Sequence, residues 1–199
     1  ADHKIATKNG YVPVSGLSSD DSVLIQCGAG AFNAKSDKFW SKELGQIIGW
    51  LIGDGWLRSG DKNCRVGWVF GGGTKEAALD YFKPLLDSRY GKVVAAVRRD
   101  NDVTHLSYHG KSFVDFFESL GVRSVSADQK VVPESIYTAS KDAVIGFLQG
   151  LFTADGTANF VPGKSSYIRL TSKSKALLQG VQILLINLGI FSRIYDRSR

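Results

Sequence analysis

The chain repeats itself once, and the repeat is unusual for a soluble protein. Residues 44–55 read Leu-Gly-Gln-Ile-Ile-Gly-Trp-Leu-Ile-Gly-Asp-Gly, and residues 145–156 read Ile-Gly-Phe-Leu-Gln-Gly-Leu-Phe-Thr-Ala-Asp-Gly. In register, Gly45, Gly49, Gly53 and Asp54 correspond to Gly146, Gly150, Ala154 and Asp155. Residues four apart share one face of an α-helix. Each segment therefore carries a stripe of Gly or Ala down one side, with apolar residues elsewhere. A glycine inside a helix costs about 1 kcal/mol relative to alanine, so a row of them needs a compensating gain. Close approach of two backbones supplies one. Two such helices packed stripe to stripe bring Asp54 and Asp155 together at their ends. Two like charges at buried helix C-termini are unfavourable alone, and a bound cation is the simplest compensation.

Each repeat is followed by similar patterning. After Asp54 the spacing predicts a hairpin, Trp56–Arg58 and Cys64–Phe70, with a turn over 59–63. A helix capped by Thr74 follows, with Pro84 as a kink or an end. Strands near Lys92–Arg98 and Val103–Tyr108 come next, then a helix from Lys111 to Leu120. In the second copy, Thr157–Val161 and Tyr167–Thr171 pair across Pro162-Gly163-Lys164. A helix from Lys173 to Leu188 and a strand from Ile190 complete it. The expected class is α+β: two pseudo-symmetric αββαββα units, the second lacking its fourth strand and last helix. Boundaries fall at 1–36, 37–138 and 139–199. Residues 1–27 read as short strands and turns, and 28–36 as a linker.

Composition narrows the partners. With 25 Lys and Arg against 19 Asp and Glu, the net charge is +6, which favours a polyanion. No apolar run reaches the ~20 residues of a membrane span. Cys27 and Cys64 form neither a disulfide framework nor a zinc site, and fit a reducing, intracellular compartment as structural thiols. Met is absent even from position 1, as expected of a piece processed from a longer chain. His105 and His109 have no catalytic partner at a recognisable spacing and read as structural or DNA-facing. Trp40, Trp50, Trp56 and Trp68 read as core.

The two segments resemble the paired LAGLIDADG (dodecapeptide) motifs of homing endonucleases, matched by Ile47–Gly55 and Leu148–Gly156. Lys130-Val-Val-Pro-Glu134 is similar to a block that intein endonucleases carry before the second helix. Asp2-His3-Lys4, Asn9-Gly10 and Val23-Leu24 resemble part of an intein splicing domain. The chain departs from the pattern at Ile52 and Thr153, where the consensus has an earlier Asp. It also lacks the junction residues for splicing, so it is not expected to splice alone.

The resemblance implies a β-saddle over a long double-stranded DNA site, a monomer with internal pseudo-twofold symmetry completed by a missing C-terminal fragment, and no membrane partner. It implies that Asp54 and Asp155, with the carbonyls of Gly53 and Ala154, hold Mg²⁺ or Mn²⁺. Metal would then polarise the phosphates and activate water. Lys130 either stabilises developing charge or positions water, or is an ordinary surface lysine. For DNA contacts, strand alternation points Arg58, Arg65, Tyr167, Arg169, Arg193, Tyr195 and Arg197 away from the helices. Lys62 and Lys164, in the hairpin turns, suit phosphates. The rival functions are a non-cleaving, maturase-like binder of DNA or RNA on the same fold, and a structural remnant of an intein.

Overall fold

A computed structural model describes residues 2–32, 39–60, 63–71, 76–99, 102–163 and 165–196. Its centre is a pair of helices, α1 (Lys42–Asp54) and α5 (Lys141–Asp155), which are the two repeats. Ser41 and Ser140 cap them, accepting from the backbone N–H of Leu44 and Ala143. The glycine stripe is what lets them touch. A Cβ on Gly49 would lie 2.0 Å from the Phe147 carbonyl oxygen, and one on Gly150 would lie 2.2 Å from that of Gln46. Gly45 meets the Ala143 carbonyl and Gly146 that of Lys42, each at 2.1 Å. These contacts are reciprocal: adding the repeat offset to one set gives the other. No residue larger than glycine fits these four positions without moving a backbone.

The first copy builds a four-stranded antiparallel sheet, ordered β3-β4-β6-β5. Its strands are β3 (Gly55–Arg58), β4 (Arg65–Gly71), β5 (Val97–Arg98) and β6 (Val103–His109). The inner face (Leu57, Val66, Trp68, Phe70, Leu106 and Tyr108) is buried against α1 and against α2 (Glu76–Tyr90) and α3 (Lys111–Ser119). Two indoles stitch β4 to α1: Trp68 Nε1 donates to the Ile47 carbonyl and Trp50 Nε1 to that of Val69. Ser124 Oγ donates to the Leu57 carbonyl and covers the free edge of β3. In the second copy β7 (Gly156–Asn159) pairs with β8 (Tyr167–Leu170), and α6 (Lys175–Asn187) follows, with Gly180 against Val132 and Tyr137. A four-residue helix, α4 (Glu134–Tyr137), precedes α5. At the N-terminus β1 (Lys4–Thr7) pairs with β2 (Gly10–Pro13), and Thr7 bridges to Val23. None of the described helices is long and apolar enough to cross a membrane.

The structure departs from the sequence expectations in five places. The strand expected over 92–98 shrinks to two residues, because Val94 N–H donates to the Asp87 carboxylate instead of to a strand. Of the two expectations for Pro84, the helix end is not met: α2 continues through it to Tyr90. Residues 28–32 are not a free linker: Gly28 and Gly30 donate to the carbonyls of Ile186 and Asn187 at the end of α6. No strand forms at 190–196. In the first copy the matching strand, β5, pairs only with β6, and the described residues of the second copy contain no counterpart of β6. Trp50 and Trp68 are core and Trp40 packs against it, but Trp56 lies on the outer face of the sheet. The expected Thr74 cap lies outside the described residues.

Candidate metal and nucleic-acid site

Asp54 and Asp155 are the last residues of α1 and α5, and the chain turns at once into β3 and β7. Glycine makes that turn possible. A Cβ on Gly55 would lie 2.6 Å from the Leu51 carbonyl oxygen, and one on Gly156 would lie 2.2 Å from that of Phe152. Each aspartate is thereby left at a helix tip. The tips meet: a Cβ on Gly53 would lie 2.7 Å from Ala154 Cβ and 3.4 Å from Asp155 Oδ2. The carboxylate of one helix thus rests over the last turn of the other.

Lys130 closes this end of the seam. Its ammonium donates to the carbonyls of Ile52 (2.7 Å), Gly53 (2.8 Å) and Gly55 (3.3 Å). It therefore satisfies terminal carbonyls of α1 that have no partner within the helix. Burial pushes the Lys130 pKa below its ordinary value, and the charges of Asp155 and Asp54 hold it part of the way back. Its backbone is fixed by Ser174, which donates to the Lys130 carbonyl (2.6 Å) and caps α6 through Leu177 N–H. An ordinary surface lysine would have none of these partners. Ser174 went unnoticed in the sequence, since nothing local marks it as reaching 44 residues back.

The tips carry two carboxylates and the partial negative charge of two helix C-termini, which is a setting for a cation. Among the described residues no group of three or more His, Cys, Asp or Glu could hold a metal. The donor set is therefore poor for an all-protein cage. It fits a hard divalent ion that keeps water and takes phosphate oxygens as further ligands. The Gly53 carbonyl already accepts from Lys130, leaving one lone pair for an ion.

The outer face of the first sheet holds Trp56, Arg58, Arg65, Val69, His105, Ser107 and His109, set by their alternation with the buried residues. Among the described residues of these strands, none on this face is acidic. Trp56 pairs with Gly67 and Arg58 with Arg65. The Trp56 ring lies across Gly67, where a Cβ would be 2.3 Å from it. Both guanidinium carbons lie over this ring, 5.6 Å (Arg58) and 5.2 Å (Arg65) from its centroid. Arg65 Nε is shielded from solvent and has no hydrogen-bond partner among the described residues. In the second copy Tyr167 and Arg169 occupy the matching outward places, opposite Asn159 and Thr157. Arg169 lies over the Tyr167 ring.

Arg193 and Tyr195 belong to no strand. They line a cavity of about 580 Å³ beside α6 with Ile25, Ile183 and Phe191. Lys62, Lys164 and Arg197 lie outside the described residues. Trp56 was assigned to the core because it is large and apolar, although its alternation with Leu57 already pointed it outward.

Residues 142–199 match the model of the LAGLIDADG-like domain. The homing endonuclease I-DmoI in complex with DNA and Mn superposes with a TM-score of 0.58 at 20% identity, covering 78% of this chain and 84% of that one. A mesophilic variant of I-DmoI gives 0.57 at 21% identity, covering 79% and 77%. This chain has the LAGLIDADG homing-endonuclease fold. The chain is also 26% identical over 207 aligned residues to the ribonucleoside-diphosphate reductase NrdEB subunit alpha of Bacillus subtilis (strain 168), covering 92% of this chain and 17% of that protein. It is 28% identical over 152 residues to a DNA polymerase of Thermococcus sp. (strain GE8), covering 75% and 8%. The chain spans less than a fifth of the length of either relative.

Proposed function

We propose that the protein is a site-specific endonuclease that hydrolyses both strands of duplex DNA with a divalent metal, Mg²⁺ or Mn²⁺. The observation that carries this reading is the convergence of Asp54 and Asp155 at the tips of two helices packed backbone to backbone. A pure binding protein has no need of two like charges brought together there. The solved relatives of this fold include I-DmoI bound to DNA with Mn, and with Ca.

In this reading Asp54 and Asp155 bind the metal, with the carbonyls of Gly53 and Ala154 as further donors. When bound there, a divalent ion would supply charge to polarise the scissile phosphates and to lower the pKa of attacking water. Lys130 orders the end of α1, so that Asp54 is presented in one geometry, and its charge lies close enough to favour the phosphorane-like transition state. Arg58, Arg65, Tyr167 and Arg169 face the major groove, and Lys62 and Lys164 contact phosphates. Arg193, Tyr195 and Arg197 extend the contact at the second copy. The protein works as a pseudo-twofold monomer with access to intracellular DNA, on a long recognition site.

Two observations support an intein origin. The matched segment is a small part of proteins with unrelated activities, a reductase and a polymerase, as an inserted element would be. The β1–β2 hairpin and its bridge to Val23 stand apart from the two repeats. Completion by a C-terminal fragment, a strand beside β8 and a helix beneath it, is supported by Ile168: it points inward by register yet is 67% exposed.

The test is selection of cleaved sequences from a randomised duplex library in Mg²⁺, in Mn²⁺ and in EDTA. The nuclease yields a long enriched site with metal only. Enrichment by binding without cleavage points to a maturase-like protein, and no binding at all to a splicing remnant.

A further inference from the structure

We infer that Trp56 is a positioning residue whose ring holds Arg58 and Arg65 as a paired reader of guanine in one half of the DNA site. The inference rests on the endonuclease reading above, and it goes beyond it by assigning the two halves of the surface different modes of recognition.

Three observations carry it. Arg58 and Arg65 are direct cross-strand partners on one face of the sheet, so their like charges sit side by side. Such a pair is unfavourable unless something else holds it. Among the described residues no salt bridge to either forms, and no strand position on the outer face around them is a carboxylate. What they share is the Trp56 ring, within 5.6 Å of both guanidinium carbons. The ring itself is fixed, because it lies over Gly67 in the only space a missing side chain leaves.

A guanidinium held over a ring by cation–π attraction keeps its N–H donors, which lie in its own plane, free to reach beyond the ring. That is the geometry for a bidentate bond to guanine O6 and N7. Trp56 thus removes rotamer freedom from two long side chains before DNA arrives, and so sharpens base choice more than total affinity. The second copy has no such platform. Thr157 and Asn159 replace Trp56 and Arg58, and a single arginine, Arg169, rests on Tyr167.

The experiment is binding selection in EDTA from a randomised duplex library, followed by sequencing, with the full chain and with Trp56→Ala, Trp56→Phe and Gly67→Ala. Thermal melting of each variant checks folding. In the wild type, guanines are enriched in one half of the site. Trp56→Ala should lower the preference for those guanines about tenfold, the worth of one good bidentate contact. The other half, and the salt dependence set by phosphate contacts, should stay unchanged. Trp56→Phe should restore most of the preference, and Gly67→Ala should mimic the loss by displacing the ring. A folded Trp56→Ala variant that keeps its base preference overturns the inference alone. Equal loss in both halves also overturns it. If the wild type enriches no site, the inference and the endonuclease reading fall together.

Discussion

The two copies of the repeat agree along the helix seam and differ in their sheets. At the seam, glycines at matching positions approach carbonyls of the other helix to within 2.0–2.2 Å of where a Cβ would be. In the sheets, Val66 and Ile168 occupy the same inward place, opposite Leu57 and Ala158, yet Val66 is fully buried and Ile168 is 67% exposed. The difference lies in the neighbours. Val66 pairs with Tyr108 of β6, beneath the aromatic cluster of Phe113 and Phe117 on α3. The described residues of the second copy contain neither element. The same inward alternation therefore marks a core position in one copy and an open one in the other.

The seam gives the largest expected effects. Gly49→Val and Gly150→Val should each destabilise the protein by about 3 kcal/mol or more, since the clash is with backbone. Urea unfolding should show the two losses to be similar. A large inequality would break the equivalence of the two helices. Gly60→Ala, which meets no atom within 4 Å, should change stability by less than about 0.5 kcal/mol.

The sheets should separate the copies. Val66→Ala removes two buried methyl groups and should cost about 2 kcal/mol. Ile168→Ala should cost less than about 0.5 kcal/mol. Comparable losses in thermal melting would mean that Ile168 is covered in solution. Lys130→Met leaves α1 carbonyls without their donor and should cost about 1–3 kcal/mol by the same measurement.

The smallest effect concerns pH. Burial raises the Asp87 pKa, but hydrogen bonds from Lys83, Tyr108 and Val94 N–H outweigh it and hold the carboxyl below its ordinary value. Its contribution is present above the ordinary carboxylate value and is lost as pH falls through the lowered one. Counting back from the glycines that end α2 and α6, the second copy has Leu185 at this place and no such dependence. Asp87→Asn should therefore flatten the loss of stability as pH falls below the ordinary carboxylate range, by up to about 1 kcal/mol. An unchanged slope in acid titration of unfolding would remove this contrast.

Much of this was legible in the sequence because it was local or repeated. The glycine stripe and its aspartates gave the seam, and alternation gave the faces of β3, β4, β7 and β8. What escaped depended on contacts between distant segments. Val94 leaves the strand for Asp87, Lys130 reaches α1 across 77 positions to Gly53, and Ser174 fixes Lys130 from the other copy. Trp56 was misplaced for another reason. Its size suggests burial, while its alternation with Leu57 points it outward, onto the flat surface over its partner Gly67.

The central claim is that the two aspartates at the seam form one metal-dependent nuclease site. It is tested most directly on a selected DNA site, comparing supercoiled plasmid treated with the wild type, Asp54→Asn, Asp155→Asn and the double variant in Mg²⁺. The account predicts linear product from the wild type, loss of linear product from each single variant, no cleavage by the double variant, and retained folding and DNA binding throughout. Linear product from the double variant at the wild-type rate would contradict it.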